Sequence, residues 1–271
     1  MISKTKITTR CAACSVDLDT LIDQVSASER LTLLRRNEIA ESNHGLSVLI
    51  DRLDSGFFIC DDEIQSSLRL ANYPTFARIE SWCTPHRYRL TLYCNGGNVC
   101  VRTSGLIGVN EELTIPFGDF DKCPVQGWFT LHMLPQGPGR YGTLRPQLAL
   151  KGRKWASCYH TQFHTDATRT SRRCGVPLLS VAGRTRAIIS IINASSRSTG
   201  FQARLEGEDE TVHGELAANG ACLFDVDKAF PRTSGDGAVV LRFDSGEPTR
   251  KNVINRHPDG SLGVDHFPNI V

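Results

Sequence analysis

Apolar and polar positions alternate with period two over most of the chain beyond residue 45, whereas helical spacing is confined to the residues before it. Ser26-x-x-Glu29 has the form of a capping box, in which the serine oxygen accepts from the backbone N–H three residues on and the glutamate reaches back. Leu31, Leu34 and Ile39, with Leu33 beside them, give a short apolar stripe, and Asn43-His-Gly45 supplies a stop. The pattern predicts a short N-terminal helical segment within residues 1–45.

From residue 46 onward, short apolar runs are separated by Asp, Ser, Gly and Pro, the grammar of strands and turns. Leu46–Ile50, Gly56–Cys60 and Leu68–Tyr73 are the first such runs. Arg87–Tyr93 alternates as a half-buried strand does. Asn95-Gly-Gly-Asn98 offers the positive-φ residues of a hairpin turn, and Val99–Arg102 returns. Glu112–Phe117, Trp128–Met133, Gln147–Leu150 and Trp155–His164 complete a first set of strands. A second set follows in a similar order: Ala187–Asn193, Phe201–Leu205, Cys222–Val226, Gly237–Phe243, and the runs 252–256 and 261–267.

The similarity of order points to a duplication. Phe201–Leu205 parallels Arg87–Tyr93, Cys222–Val226 with Ala229-Phe-Pro parallels Leu113–Phe120, and Gly237–Phe243 parallels Gly127–Met133. Each set also closes on a histidine-bearing strand, the first at His160 and His164, the second at His266. The expected fold is therefore all-β and mainly antiparallel: two tandem β-sandwich-like modules of the immunoglobulin kind, related by duplication and preceded by the short helical segment. The expected organisation is 1–45 helical extension, 46–166 first module, 167–184 linker and 185–271 second module. The stretch Thr165–Arg184 is rich in Thr, Ser and Arg and is expected to be exposed.

Composition narrows the function. Hydrophobic residues at 40% and charged residues at 22% are those of a globular protein. The 31 basic and 29 acidic residues are interspersed and leave a formal charge of only +2, so nucleic acid is not the expected partner. No run approaches the ~18 apolar residues of a membrane span, and no apolar segment follows the basic start, so a cytoplasmic location is expected. The ten cysteines show no framework spacing beyond Cys11-x-x-Cys14, and most are expected to be reduced, small buried hydrophobes, among them Cys83, Cys94, Cys100, Cys158 and Cys222.

Candidate chemistry gathers at the strand ends. His160-x-x-x-His164 would share one face of a helix, but on a strand the two stand about 13 Å apart, too far for one ion unless a bend intervenes. Either histidine can instead combine with Asp265-His266 of the corresponding strand, with His257 as a further donor. Two imidazoles and a carboxylate would suit one divalent transition metal, Fe(II), Mn(II) or Zn(II). Arg169, Arg172 and Arg173, with Arg184 and Arg186 nearby, form a basic patch suited to phosphate or an acidic partner. Cys11 and Cys14 lack the two further ligands of a zinc site at finger spacing. Asp61–Glu63 and Glu206–Glu210 are acidic clusters without Ca²⁺-loop spacing, and the second reads as a hairpin tip.

No phosphate-loop, nucleophile-elbow or H-E-x-x-H motif is present in the sequence. The favoured expectation is a non-catalytic binding or assembly protein that meets a protein partner or its own copies, with Trp82, Arg87, Trp128, Tyr141 and Trp155 as possible anchors. The alternative is a metal-dependent enzyme with its site at the junction of the modules.

Overall fold

The computed structural model describes residues 52–73, 85–135, 146–153, 155–163, 170–178, 186–231 and 239–266. The expected N-terminal helix, the run at 46–50, the Cys11/Cys14 pair, Trp82, Tyr141, His164 and Arg169 lie outside them. The described chain is mainly antiparallel β-structure arranged in several sheets. Among the described residues no helix is long and apolar enough to cross a membrane.

In the first half the strands are β1 (Arg52–Ile59), β2 (Gln65–Ala71), β3 (His86–Cys94), β4 (Val99–Ile107), β5 (Glu112–Pro116), β6 (Gln126–Pro135), β7 (Gln147–Lys151), β8 (Ala156–His160) and β9 (Gln162–Phe163). They form one sheet ordered β4-β3-β6-β1-β9 and another ordered β5-β2-β7-β8. Alternation supplies the apolar faces: Leu68, Leu70, Leu148 and Leu150 of one sheet join Phe58, Leu90, Leu92, Phe129, Leu131 and Met133 of the other in a single buried cluster. Each such side chain contributes roughly 1.5–3 kcal/mol on burial. Phe117, in a 3-10 turn at Phe117–Asp119 just after β5, meets Phe58 and Phe129 edge-on at 5.3 and 5.5 Å between centroids.

The second half holds β10 (Thr170–Leu178), β11 (Arg186–Ile192), β12 (Thr199–Leu205), β13 (Thr211–Leu216), β14 (Ala221–Asp225), the four-residue helix α1 (Val226–Ala229), β15 (Val239–Arg256) and β16 (Leu262–His266). Asp225 caps α1 by accepting from the Lys228 backbone N–H at 3.2 Å. The 18-residue β15 organises this half. Its first part lies between β12 and β10, with Arg242 paired to both Arg204 and Gly175. Its last part lies between β11 and β16, with Asn252 paired to both Ser190 and His266. A second buried cluster draws on Cys174, Val176 and Leu178 of β10, Ile189 and Ile191 of β11, Phe201 and Leu205 of β12, and both parts of β15 through Leu241, Phe243 and Val253.

Three expectations are corrected. Residues 170–178 are not an exposed linker: they form β10, and the alternation Cys174-x-Val176-x-Leu178 buries one side of a stretch whose overall composition is polar. Residues 239–243 and 252–256, expected in separate runs, belong to one strand. Asp244–Pro248 resembles a turn, but the β10–β15 register slips there, leaving residues 245–248 opposite Arg172. Ser245 Oγ donates to the Glu247 carbonyl at 2.8 Å, and Thr199 Oγ1 accepts from the Glu247 N–H at 2.9 Å, so hydroxyls satisfy the bulged backbone. Conversely, Trp155–His164 is not one strand but breaks at Thr161 into β8 and β9.

The two halves pack together. The Trp128 indole N–H donates to the Asn219 carbonyl at 2.6 Å, the Ala221 N–H donates to the Asn95 carbonyl at 3.1 Å, and Arg250 bonds the Ser55 hydroxyl and carbonyl. Ile192, Ala221, Ile254 and Leu262 of the second half belong to the first half's buried cluster. Gly97, at φ 85°, is required twice over: a side chain there would strain the hairpin turn and strike the Ala218 carbonyl of the second half.

Candidate functional site

Directly paired residues share a sheet face, so strand register gives the surface chemistry. In β13-β12-β15-β10 one face is the second core. The other is open and carries two polar rows. His213, Gln202, Asp244 and Arg173 form one row, and Thr211, Arg204, Arg242 and Gly175 form the next. Arg173, Gln202, Arg204, Thr211, Arg242 and Asp244, with Cys174 and Phe243, line a groove of about 450 Å³, and a neighbouring hollow that shares Gln202 and Asp244 reaches His213, Gly214 and Gly246.

Its electrostatics are uneven. Arg173 Nε bonds Asp244 Oδ2 at 2.9 Å, and Arg242 Nη2 bonds Glu206 Oε1 at 2.9 Å. Arg204 and Arg242 stand in direct cross-strand register, an arrangement of like charges that costs stability. No ion pair to Arg204 is found among the described residues. Gly175 leaves room for the Arg242 guanidinium, whose Nη1 lies 3.1 Å from where a side chain at 175 would begin.

The opposite situation holds at the junction of the halves, which is closed. Ser55, Thr91, Arg89 and His132 are buried there on β1, β3 and β6, and Trp128, 2% exposed, stacks on Tyr93 at 4.4 Å. Tyr159 of β8 stacks on Phe57 at 5.9 Å; burial drives its hydroxyl pKa well above the ordinary tyrosine value, and the hydroxyl oxygen has no hydrogen-bond partner among the described residues. Burial also lowers the Lys251 pKa, and its ammonium lies 5.9 Å from the Phe243 ring centroid. Between the loops of both halves, Glu63, Arg153, Trp155, Arg256 and Asp259 line a cleft of about 340 Å³, with Arg256 and Glu63 paired at 3.1 Å.

The residues singled out from sequence are dispersed. His160 ends β8, in register with Gln147. Asp265 and His266 pair with Val253 and Asn252 of β15, and β8 lies against β16. His257 is half-buried in the turn between β15 and β16. Among the described residues no group of three or more His, Cys, Asp or Glu is arranged to hold a metal ion. Arg173 lines the groove, while Arg172 sits at the bulge, where its carbonyl accepts from Ser245 Oγ at 3.1 Å. Arg186 is occupied by Asp225. The Asp61 carboxylate accepts the Glu63 and Ile64 N–H groups at 2.8 and 2.6 Å, so that acidic cluster is a turn. Glu206–Glu210 is the β12–β13 hairpin connection, as its sequence suggests.

Arg204 and Arg242 are the site residues that the sequence reading passed over. The signal was present: Gln202-x-Arg204 and Arg242-x-Asp244 each set polar residues two apart on strands whose other positions are apolar. No protein-family model matches the chain, and no curated protein shows significant similarity to it.

Proposed function

We propose that this is a non-catalytic binding or assembly protein made of two tandem β-sandwich modules, the second a duplicate of the first, which holds an acidic protein surface on the open face of its second module. The duplication is supported by strand order. The set β4-β3-β6-β1 corresponds to β13-β12-β15-β10, and β5-β2-β7-β8 corresponds to β14-β11-β15-β16, with the single β15 standing in for both β6 and β7. The short helical turns after β5 and β14 correspond as well. On this reading the second module begins with β10.

The observation that carries the binding function is the direct pairing of Arg204 with Arg242 on an open, grooved face. Glu206 holds Arg242, whereas Arg204 has no ion pair among the described residues, and the fork of its guanidinium matches an incoming carboxylate in a bidentate manner. A hexaglutamate peptide, followed by fluorescence anisotropy at low ionic strength, is the probe. The full chain should bind it in a salt-sensitive way, and Arg204→Gln/Arg242→Gln should weaken binding at least tenfold. Arg69→Gln, on the first half, should not. Equal affinity for the double variant and the parent would reject this face. Sedimentation of the parent and the double variant identifies the case in which the acidic surface belongs to a second copy of the chain.

A metal-dependent enzyme is the second reading, and one observation favours it: the strand ending in His160 lies against the strand bearing Asp265 and His266. Against it, consecutive strand residues occupy opposite faces, so Asp265 and His266 stand at register positions on different sides of their sheet. Elemental analysis of untagged protein beside His160→Ala/His266→Ala decides. Stoichiometric metal lost in the folded variant would replace the binding reading with this one.

A further inference from the structure

Four cysteines, Cys60, Cys94, Cys100 and Cys123, of a set expected mostly to be reduced, small buried hydrophobes, lie at one end of the first half. β6 is the reason. Its first residues run between β1 and β3, so the chain after β1 and the chain after β3 both terminate beside it. The Cys60 N–H donates to the Val125 carbonyl at 2.7 Å, one step beyond the Ile59–Gln126 pair. On the other side Cys94 is in register with Gly127. Cys123 precedes β6 in the connection from β5, where its N–H donates to the Phe120 carbonyl at 2.9 Å. Cys100 enters through a bulge: the β3–β4 register shifts between Leu92 and Tyr93, leaving Cys100 as the extra residue between Val99 and Val101.

This backbone arrangement brings the thiols together two by two. The backbone sets Cys60 beside Val125, two residues from Cys123, and Cys94 beside Asn98, two residues from Cys100, and within each pair the thiols are close enough to influence each other's ionisation. Ser66 also adjoins the Cys60 thiol, Cys100 Sγ lies 3.6 Å from Asn98 O and Cys123 Sγ lies 3.5 Å from Pro124 O. The four sulfurs do not converge on one point that would hold a metal ion.

We propose that Cys60 with Cys123, and Cys94 with Cys100, are two sites of disulfide formation that accept oxidation by small-molecule disulfides of the glutathione class. In each pair one thiol loses its proton and attacks the oxidant's disulfide, releasing one small thiol and leaving a mixed disulfide. The second protein thiol then loses its proton and attacks that sulfur, closing the intramolecular S–S bond and releasing the second small thiol. Two electrons and two protons pass from the protein pair to the oxidant. Burial raises the pKa of Cys60 and Cys100 and pushes that of Cys123 up to about 12, so the pairs react slowly at neutral pH and faster as the pH rises. The first bond would tie the end of β1 to the approach to β6. The second would brace the β3–β4 hairpin, whose Gly97 seats against the second half.

The test is oxidation of the full chain with excess oxidised glutathione at pH 8.5, acid quenching, alkylation and peptide mapping without reduction. Cys158 is exposed and its thiol bonds Gln147 Oε1 at 3.4 Å, which makes it an internal control that should stop at the mixed disulfide. The expected map joins Cys60 to Cys123 and Cys94 to Cys100. In Cys60→Ser the first link disappears while the second persists. Two results overturn the proposal: all four cysteines still free once Cys158 is fully glutathionylated, or links that join Cys60 to Cys94 or Cys100 to Cys123 instead. A single link of the expected kind removes the other pair from the proposal. The parent map decides even where the serine variant fails to fold.

Discussion

The outer face of β4-β3-β6-β1 and the outer face of β13-β12-β15-β10 are built from strands in the same order, yet they have opposite fates. The first is sealed by the second half of the chain. It carries Trp128, Tyr93 and Phe57 in one cross-strand row, Thr91, Thr130 and Ser55 in the next, then Arg89 and His132. Its covering surface is apolar at Ile188, Ile192 and Ile254, with Arg250 reaching across to Ser55. The second face is uncovered and charged, with three arginines and a floor lowered by Gly175. The lesson is that strand order builds a face without deciding its use. Side chains on the non-core positions settle whether it is buried against a neighbour or offered to solvent and ligand.

The largest effect expected from breaking this contrast comes from Trp128→Ala. It removes a 2% exposed indole, its stacking on Tyr93 and its bond to Asn219. A loss of about 3–5 kcal/mol is expected in denaturant unfolding, as for other buried aromatic truncations. A loss under ~1 kcal/mol, the scale of an exposed site, would show that the face is not sealed.

A smaller effect compares the halves through alkali. Burial pushes the thiols of Cys123 in the first half and Cys222 in the second up to about 12, against an unfolded value near 9. The folded state therefore keeps protons that the unfolded state has lost. This contribution is fully present below pH 9 and is lost as the pH rises through about 12. The well-buried Cys222 thiol adds a downward slope of up to about 1.4 kcal/mol per pH unit in that window, and the more exposed Cys123, screened by solvent, adds less. Cys222→Ala should unfold with a shallower alkaline dependence by that amount, read from denaturant titrations between pH 8.5 and 10.5. An unchanged slope would mean that Cys222 is not desolvated.

The smallest effect belongs to the open face. Arg204→Gln should change stability by no more than ~0.5 kcal/mol, in the stabilising direction because a like-charge pair is relieved. A loss of more than ~1 kcal/mol would mean that Arg204 has a structural partner, and the binding face would have to be sought elsewhere.

Some of this was legible along the chain. Phe201–Leu205 was readable because one face of the strand is core and the other is open, which imposes period two. Arg87–Tyr93 alternates in chemistry in the same way, but both of its faces are buried, the polar one against the second half. The β12–β13 acidic turn and the Asn95–Asn98 hairpin were readable because turns demand particular residues at particular places. β10 was missed because composition averages over a segment, whereas burial acts on alternate positions. Cys174, Val176 and Leu178 supply the apolar side, and Thr, Ser and Arg mask it. β15 was divided in two because Asp244–Pro248 has turn chemistry, while its neighbours hold those residues as a bulge. Arg173 stands out in the sequence as part of a basic cluster, and it lines the groove. Its companions Arg204 and Arg242 do not, since they are 31 and 69 residues away in number and become neighbours only by strand pairing.

The sequence by itself therefore determined most of the strands, several of the turns and the presence of polar rows on one side of several strands. All of these are set by residues within a few positions of one another. The tertiary structure alone decided that one face is covered and its counterpart open, that two arginines are forced side by side, and that four cysteines spread over residues 60–123 meet as two pairs. Each of those depends on cross-strand register and on packing between sheets, which join residues by distance in space rather than along the chain.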